Sequence, residues 1–351
     1  MSGISAYTVT PRQARGYVIK CMMVGLVPFI QSSPAMGKSA MVASIAKEYN
    51  LELIDHRLST SAPEDLSGLP HFLPDGTATF APFDTFPTED TPVPPGKDGW
   101  MLFLDEFNSA SKMVQAAAYK LVLDRMIGLK KLHPRVALVA AGNKSTDRAI
   151  VNPISTAMQS RLIHLEMDLS FDEFMEDVAL AQQWDSRIVA YLNYKKSALH
   201  DFRPDHNEKT FASPRTWEFM NKLIKGNAVL DSDAALYAGA ITSGVAVDFI
   251  QFTKVYASLP RFVDIVRSPD TIGVPTDSAT RWATITHLIE NVDEDHFSAV
   301  ATYLGRFTAE FRVLFFRSLM IQKPHLKQHQ AFRQSMVELS RYLHDDVAKA
   351  A

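Results

Sequence analysis

Two short stretches carry residues whose types and spacing suit them to phosphate chemistry. The first, Ser32-Ser33-Pro34-Ala35-Met36-Gly37-Lys38-Ser39, separates the apolar run Val27-Pro28-Phe29-Ile30-Gln31 from a helical pattern over Lys38 to Tyr49. Strand, loop and helix in that order are the context of the Walker A loop, G-x-x-x-x-G-K-[ST]. In such a loop, Ser33, Pro34, Ala35, Met36 and Gly37, with Ala40 at the helix start, surround the phosphates with the positive helix end and with backbone N–H groups from all but Pro34, which has none. Lys38 then reaches the terminal phosphates, and the Ser39 hydroxyl becomes a magnesium ligand. One position departs, because Ser32 stands where the first glycine is usual. If that position needed a positive φ, serine would cost roughly 1 kcal/mol or more. Taken alone, the tripeptide Gly-Lys-Ser is also compatible with an ordinary turn before a helix.

The second stretch is Met101-Leu102-Phe103-Leu104-Asp105-Glu106, four apolar residues followed by two carboxylates. Ligands bind beyond the carboxyl ends of strands in open α/β sheets. There Asp105 can hold magnesium through its water shell while Glu106 polarises an attacking water. A strand ending in a solvated acidic turn is the plainer reading of the pair by itself. Further on, Val136 to Ala141 reads as a strand ending in Gly142-Asn143, and an amide at such a tip both donates to and accepts from water. Arg161, at the start of the last strand, can serve a neighbouring copy's nucleotide as an arginine finger, with Arg148 a second candidate. Arg215 lies in the first turn of a helix opened by Ser213-Pro214, where a cation opposes the helix dipole unless an anion compensates it. A phosphate or a nearby carboxylate would do so.

The elements that must position these groups alternate first and then change character. Thr10-Pro11-Arg12-Gln13 predicts a capped helix start, with the helix running to about Gly25. Strands are expected over Leu51 to Leu58, Met101 to Asp105, Arg135 to Ala141 and Arg161 to Met167, with a helix over Lys112 to Met126 closed by Gly128. Seven of the 19 prolines fall between residues 70 and 99, so a hairpin, His71-Phe72-Leu73 against Thr77 to Phe80, and a long loop are expected there. Strands separated by helices imply a parallel sheet covered on both faces. From Ser170 onward only helices are expected, near 231–243, 245–257, 277–291, 295–320 and 328–347, after a start at Ser170-x-x-Glu173.

Bulk properties bound the rest. With 351 residues, 46% hydrophobic, the chain can fill two or three cores. A net charge of −3 gives no general attraction for DNA or acidic membranes. The single cysteine, Cys21, excludes an internal disulfide and reads as a buried apolar residue. Neither a signal peptide nor an apolar run of membrane-spanning length is evident, so a soluble, cytoplasmic protein is expected.

Together these residues resemble the AAA+ ATPases, and within them the MoxR-like branch, also called the dynein-related AAA subfamily. The matching pieces run in the family's order: Walker A at 32–39, Walker B at 101–106, sensor one at Asn143, the finger in Ser160-Arg161 and sensor two in Ser213-Pro214-Arg215. Asn108-Ser109-Ala110-Ser111 with Val114-Gln115 is similar to the segment that follows Walker B, and the hairpin at about 70–82 to the insert that marks the branch. The likeness spans about residues 10–225. It implies an α/β P-loop NTPase (AAA+) three-layer core with a parallel sheet over 1–168, an all-helical lid over 169–230 and a helical C-terminal region over 231–351. It further implies ATP and Mg2+ as cofactors, with Ser39 and Asp105 on the metal and Glu106, Asn143, Arg161 and Arg215 in catalysis. The implied assembly is a homo-oligomeric, hexameric ring remodelling a protein client, often with a von Willebrand factor A-domain partner. The hairpin around Phe72 and Phe80 and the Leu129-Lys130-Lys131 turn would then face the pore, or be plain surface hairpins.

Other signals carry less. His325 and His329 lack a third ligand at suitable spacing. Phe307, Phe311, Phe315 and Phe316 have the spacing of a helix core face. Lys130-Lys131 and Lys195-Lys196 are too short to indicate nucleic acid. A nucleic-acid motor or helicase loader on the same core is the alternative function, a non-hydrolysing nucleotide-bound scaffold a third, and a P-loop kinase the rival enzyme.

Overall fold

A computed structural model describes residues 7–147, 151–205 and 207–348, and the chain divides between Ser170 and Phe171 into two compact units. The first unit opens with β1 (Thr8–Val9) and α1 (Pro11–Met23), followed by β2 (Val27–Ser32), α2 (Lys38–Glu48) and β3 (Leu51–Arg57). Then come the short α3 (Pro63–Ser67), the strands β4 (Leu69–Phe72) and β5 (Ala78–Ala81), β6 (Gly99–Asp105) and α4 (Lys112–Asp124). The unit closes with β7 (Met126–Ile127), β8 (Lys130–Lys131), β9 (Val136–Asn143), α5 (Thr156–Gln159) and β10 (Leu162–Met167).

Six of these strands form one parallel sheet in the order β1-β10-β2-β9-β6-β3. Numbering the five main strands along the chain gives 5-1-4-3-2, so the loop-bearing strand β2 and the acidic strand β6 flank β9. Thr10 caps α1 with the expected reciprocal bonds to Gln13, an arrangement worth about 1 kcal/mol. One sheet face packs Ile30, Met101, Phe103 and Val139 against Val18 of α1 and Val42 and Ile45 of α2. The other packs Phe29, Leu102, Leu104 and Leu138 against Val114, Ala118 and Leu121 of α4. Helix, sheet and helix make a three-layer α/β core around a parallel sheet, as the sequence predicts.

The second unit contains helices and no strand among its described residues. It comprises α6 (Phe171–Phe174), which passes into a π-helical segment over Met175–Leu180, then α7 (Ser186–Tyr194), α8 (Pro214–Ile224), α9 (Ala234–Ile241) and α10 (Ser243–Lys254). Five more follow: α11 (Phe262–Arg267), α12 (Ser278–Asn291), α13 (Phe297–Leu304), α14 (Ala309–Gln322) and α15 (Gln330–Ala348). Phe307, Phe311, Phe315 and Phe316 all enter its core, beside Trp282 and Phe297. No helix among the described residues is long and apolar enough to cross a membrane.

Several expected boundaries shift for physical reasons. The helix expected over Lys112 to Met126 ends at Asp124 because Arg125, at φ 52° and ψ 49°, takes the left-handed capping conformation. Gly128 instead turns the small hairpin between β7 and β8. The single helix expected over 295–320 is two, since the chain breaks between Leu304 and Ala309. Leu58 leaves the strand to begin a 3-10 turn, Leu58–Thr60. His325 lies in a 3-10 turn and His329 after it, so the two do not share a helix face.

Candidate nucleotide site

Strand register decides which predicted groups meet. Ser32 lies level with Asn143 across β2 and β9, and Arg57 lies level with Asp105 across β3 and β6. The carboxyl ends of four strands therefore present Ser32, Asn143, Asp105 and Arg57 along one edge, where the loop before α2 also stands.

The loop itself resolves the question raised by Ser32. Ser32 is not a turn residue but the fully buried last residue of β2, and it is absent from the positive-φ positions, which in this loop are Ala35 (63°) and Gly37 (82°). The cost that a left-handed serine would carry does not arise. Left-handed residues alternating with ordinary ones turn successive N–H groups to one side, the geometry of an anion-binding concavity. Gly37 forms the N-cap of α2 without any side-chain cap, leaving the first N–H groups of that helix for an anion. Lys38 folds back over the loop. Its Nζ donates to Ser32 Oγ at 2.8 Å and to the Ser32 carbonyl at 3.4 Å, so serine at this position gives the ammonium an acceptor that glycine would not.

Ser39 Oγ donates to Asp105 Oδ2 at 3.2 Å. Two oxygens bound side by side to one octahedral magnesium at about 2.1 Å stand about 3 Å apart, so the two groups fit a common metal shell. No set of three or more His, Cys, Asp or Glu side chains gathers for a metal among the described residues. Ser39 and Asp105, as two protein oxygens, suit an ion that keeps water and phosphate oxygens.

Glu106 is strained. It adopts φ 55° and ψ 35°, a conformation costing a non-glycine residue about 1 kcal/mol or more. Asp105 Oδ1 accepts the Glu106 N–H at 2.8 Å, and the Ser59 hydroxyl donates to Glu106 Oε2. Asn143 is held by its backbone: Asn108 Oδ1 accepts the Asn143 N–H at 3.0 Å, and Asn108 Nδ2 donates to the Asn143 carbonyl at 2.7 Å. The Asn143 side chain, half-buried at the strand tip, is left for a solvent-side partner.

One predicted cation of this unit, Arg161, does not join this edge. Arg161 immediately precedes β10, whose first residue, Leu162, lies level with Val27 at the start of β2. Five residues of strand separate that level from Ser32, about 17 Å at 3.3 Å per residue. The exposed Arg161 guanidinium donates to the Ala157 carbonyl at 2.6 Å and Ser160 Oγ at 2.9 Å and lies 5.4 Å over the Tyr119 ring. Arg215 belongs to the helical unit, exposed in the first turn of α8, whose cap is Ser213 bonded reciprocally with Thr216. Arg148 lies outside the described residues.

Sequence reading missed three neighbours. Ser59 gave no signal because its role depends on a turn two residues beyond β3. Asn108 was noted only as part of a segment and not as the tie to Asn143. Asp55 alternates onto the same sheet face as Arg57, and burial, then the charges of Asp105 and Glu106, push its carboxyl above the usual range despite Arg57 and His56. An Asp and an Arg two apart on a strand that is otherwise apolar on that face was the available clue.

No family profile matches the chain, and no curated protein is similar to it. Among solved structures, the Thermotoga maritima RuvB Holliday junction branch migration motor shares 15% identity over 83% of this chain and 87% of its own, with a TM-score of 0.36. A point mutant of that RuvB reaches 16% over the same shares, with a TM-score of 0.39. A Cytophaga hutchinsonii protein to which ATPase activity is ascribed shares 13% over 95% of this chain and 90% of its own, with a TM-score of 0.36. Superpositions this loose carry no argument about activity, which rests on the chain's own geometry.

Proposed function

We propose that this chain is a MoxR-like AAA+ ATPase that binds ATP with magnesium and hydrolyses it. The observation that carries the reading is the meeting of Ser39 and Asp105, 3.2 Å apart, beside a loop whose lysine and helix start face the same edge. Magnesium and the triphosphate, when bound, supply the polarised phosphorus centre. Ser33 to Gly37 and Ala40 surround the phosphates, all but Pro34 with backbone N–H groups, and Lys38 leaves Ser32 to neutralise their charge. Ser39 and Asp105 hold the metal side, Glu106 takes a proton from the attacking water, and the Asn143 amide orients that water.

Arg161 supports assembly. A cation some 17 Å from its own chain's phosphate edge serves hydrolysis only at another copy's site, and an arginine so supplied is worth about three to five orders of magnitude in rate. The reading is therefore a cytoplasmic homo-oligomeric ring, hexameric by resemblance, with Arg215 of a lid over 169–230 sensing nucleotide. A protein client is favoured by two abutting hairpins with exposed apolar tips: Phe72 is 73% and Leu129 57% exposed, and a Cβ on Gly128 would lie 3.6 Å from that of Phe80. A von Willebrand factor A-domain partner rests on resemblance alone.

The test is ATP affinity measured with and without magnesium in the wild type and in Asp105→Asn. Magnesium should tighten wild-type binding and lose most of that effect in the variant. Equal magnesium dependence in both proteins rejects the metal assignment, and stimulation of turnover by DNA would favour a nucleic-acid motor.

A further inference from the structure

The turn after β3 is fastened twice, once on each side of the sheet edge. Leu58, fully buried, anchors it. From there Ser59 reaches out to Glu106 Oε2, while Ser61 turns back toward His56 on the opposite sheet face. Ser61 Oγ lies 2.9 Å from His56 Nε2 and donates to the Arg57 carbonyl at 2.9 Å. Because the hydroxyl has a single proton and spends it on that carbonyl, it accepts from the imidazole N–H. Thr60 Oγ1 also donates to the Arg57 carbonyl, at 3.1 Å, and the Ser61 N–H reaches the Leu58 carbonyl at 3.3 Å.

His56 is itself held firmly. Its ring packs edge-on against Phe86, centroids 5.0 Å apart, and Phe86 is buried. The ionisable groups facing it are Asp65 on α3 and Asp55 on its own strand, and burial outweighs both, lowering its pKa below the ordinary 6.5. A fixed, neutral donor therefore grips the far end of the five-residue turn whose middle holds Ser59.

We infer that His56 is a positioning residue for ATP hydrolysis: through Ser61 it locks the turn that holds the Ser59 hydroxyl on Glu106 and so restrains the catalytic base. The inference rests on the reading of Glu106 as that base. Ser59 donates to Glu106 Oε2 and keeps that oxygen engaged away from the attacking water. Loosening the turn frees it.

The experiment compares kcat and ATP affinity in full-length wild type, His56→Ala, Ser61→Ala, Ser59→Ala and the His56→Ala/Ser59→Ala double variant, with Glu106→Gln alongside. Each single variant should raise basal kcat by about fivefold, the factor equivalent to roughly 1 kcal/mol, with ATP affinity unchanged. The double variant should rise no further than Ser59→Ala alone. A variant that merely damaged the fold would lower kcat, so an increase from both His56→Ala and Ser61→Ala separates positioning from packing. Unchanged or reduced kcat in those two while Ser59→Ala is raised overturns the lock, as does full additivity in the double variant. Should Glu106→Gln hydrolyse ATP like the wild type, the reading of the base fails instead.

Discussion

At the residue scale, each side chain near the carboxyl edge of the sheet is constrained by something it must give up or hold on to. Lys38 rests on a serine hydroxyl, Glu106 carries backbone strain, and Asp55 is crowded by two acids. The same reasoning predicts a pH effect at His56. Its folded pKa lies below 6.5, so between the folded and unfolded values the unfolded chain binds more protons. Stability should therefore fall as pH drops below about 6.5. In thermal unfolding, His56→Asn should show a smaller loss of midpoint between pH 7 and pH 5.5 than the wild type; an equal or larger loss would place the protonation elsewhere. His287, also lowered by burial, supplies the same sign in the helical unit and should be left untouched by the substitution.

At the element scale, strand tips are set by packing below them. Gly142 precedes Asn143 in β9, and a Cβ added there would meet Asn108 Oδ1 at 2.2 Å and Phe29 Cζ at 3.0 Å. Asn108 is the residue that holds both peptide groups of Asn143, so Gly142→Ala should cost about 1–3 kcal/mol and slow hydrolysis more than it weakens ATP binding. Chemical denaturation with a binding isotherm checks both, and an undisturbed unfolding midpoint would argue against the close approach. This glycine was legible in the sequence only as part of a turn; its need for space comes from α4-side residues far away in the chain. By contrast, β2, α2 and β6 were legible to within one or two residues, because apolar runs bounded by a capping signal or paired acids depend on local chemistry. The break between α13 and α14 was hidden because Gly305 to Thr308 interrupts an apolar spacing that continues on both sides. The turn bearing Ser59 was hidden for the opposite reason: its partners, His56 on β3 and Glu106 just past β6, are brought together by a strand pairing that no local pattern reveals.

At the scale of the whole molecule, the core's two edges carry different groups. Parallel strands place Lys38, Ser39, Asp105, Glu106 and Asn143 at their carboxyl ends and Arg161 at an amino end, an arrangement that suits a ring in which each copy completes its neighbour's site. Arg161→Ala and Glu106→Gln should each be nearly inactive alone, yet mixing them should restore part of the turnover, because some interfaces then combine an intact base with an intact arginine. Mixtures no more active than their components would show that the arginine is not supplied between copies. The sequence disclosed this division through the position of Arg161 before the last strand, whereas strand order, which sets the distance, emerged only from the fold.

The most direct measurement is steady-state ATP hydrolysis by wild-type and Glu106→Gln proteins, with retained nucleotide quantified in the same samples. The wild type should turn over ATP, while the variant should keep ATP bound with magnesium and release essentially no phosphate. Turnover by the variant at the wild-type rate, or failure of the wild type to bind ATP at all, would contradict the account.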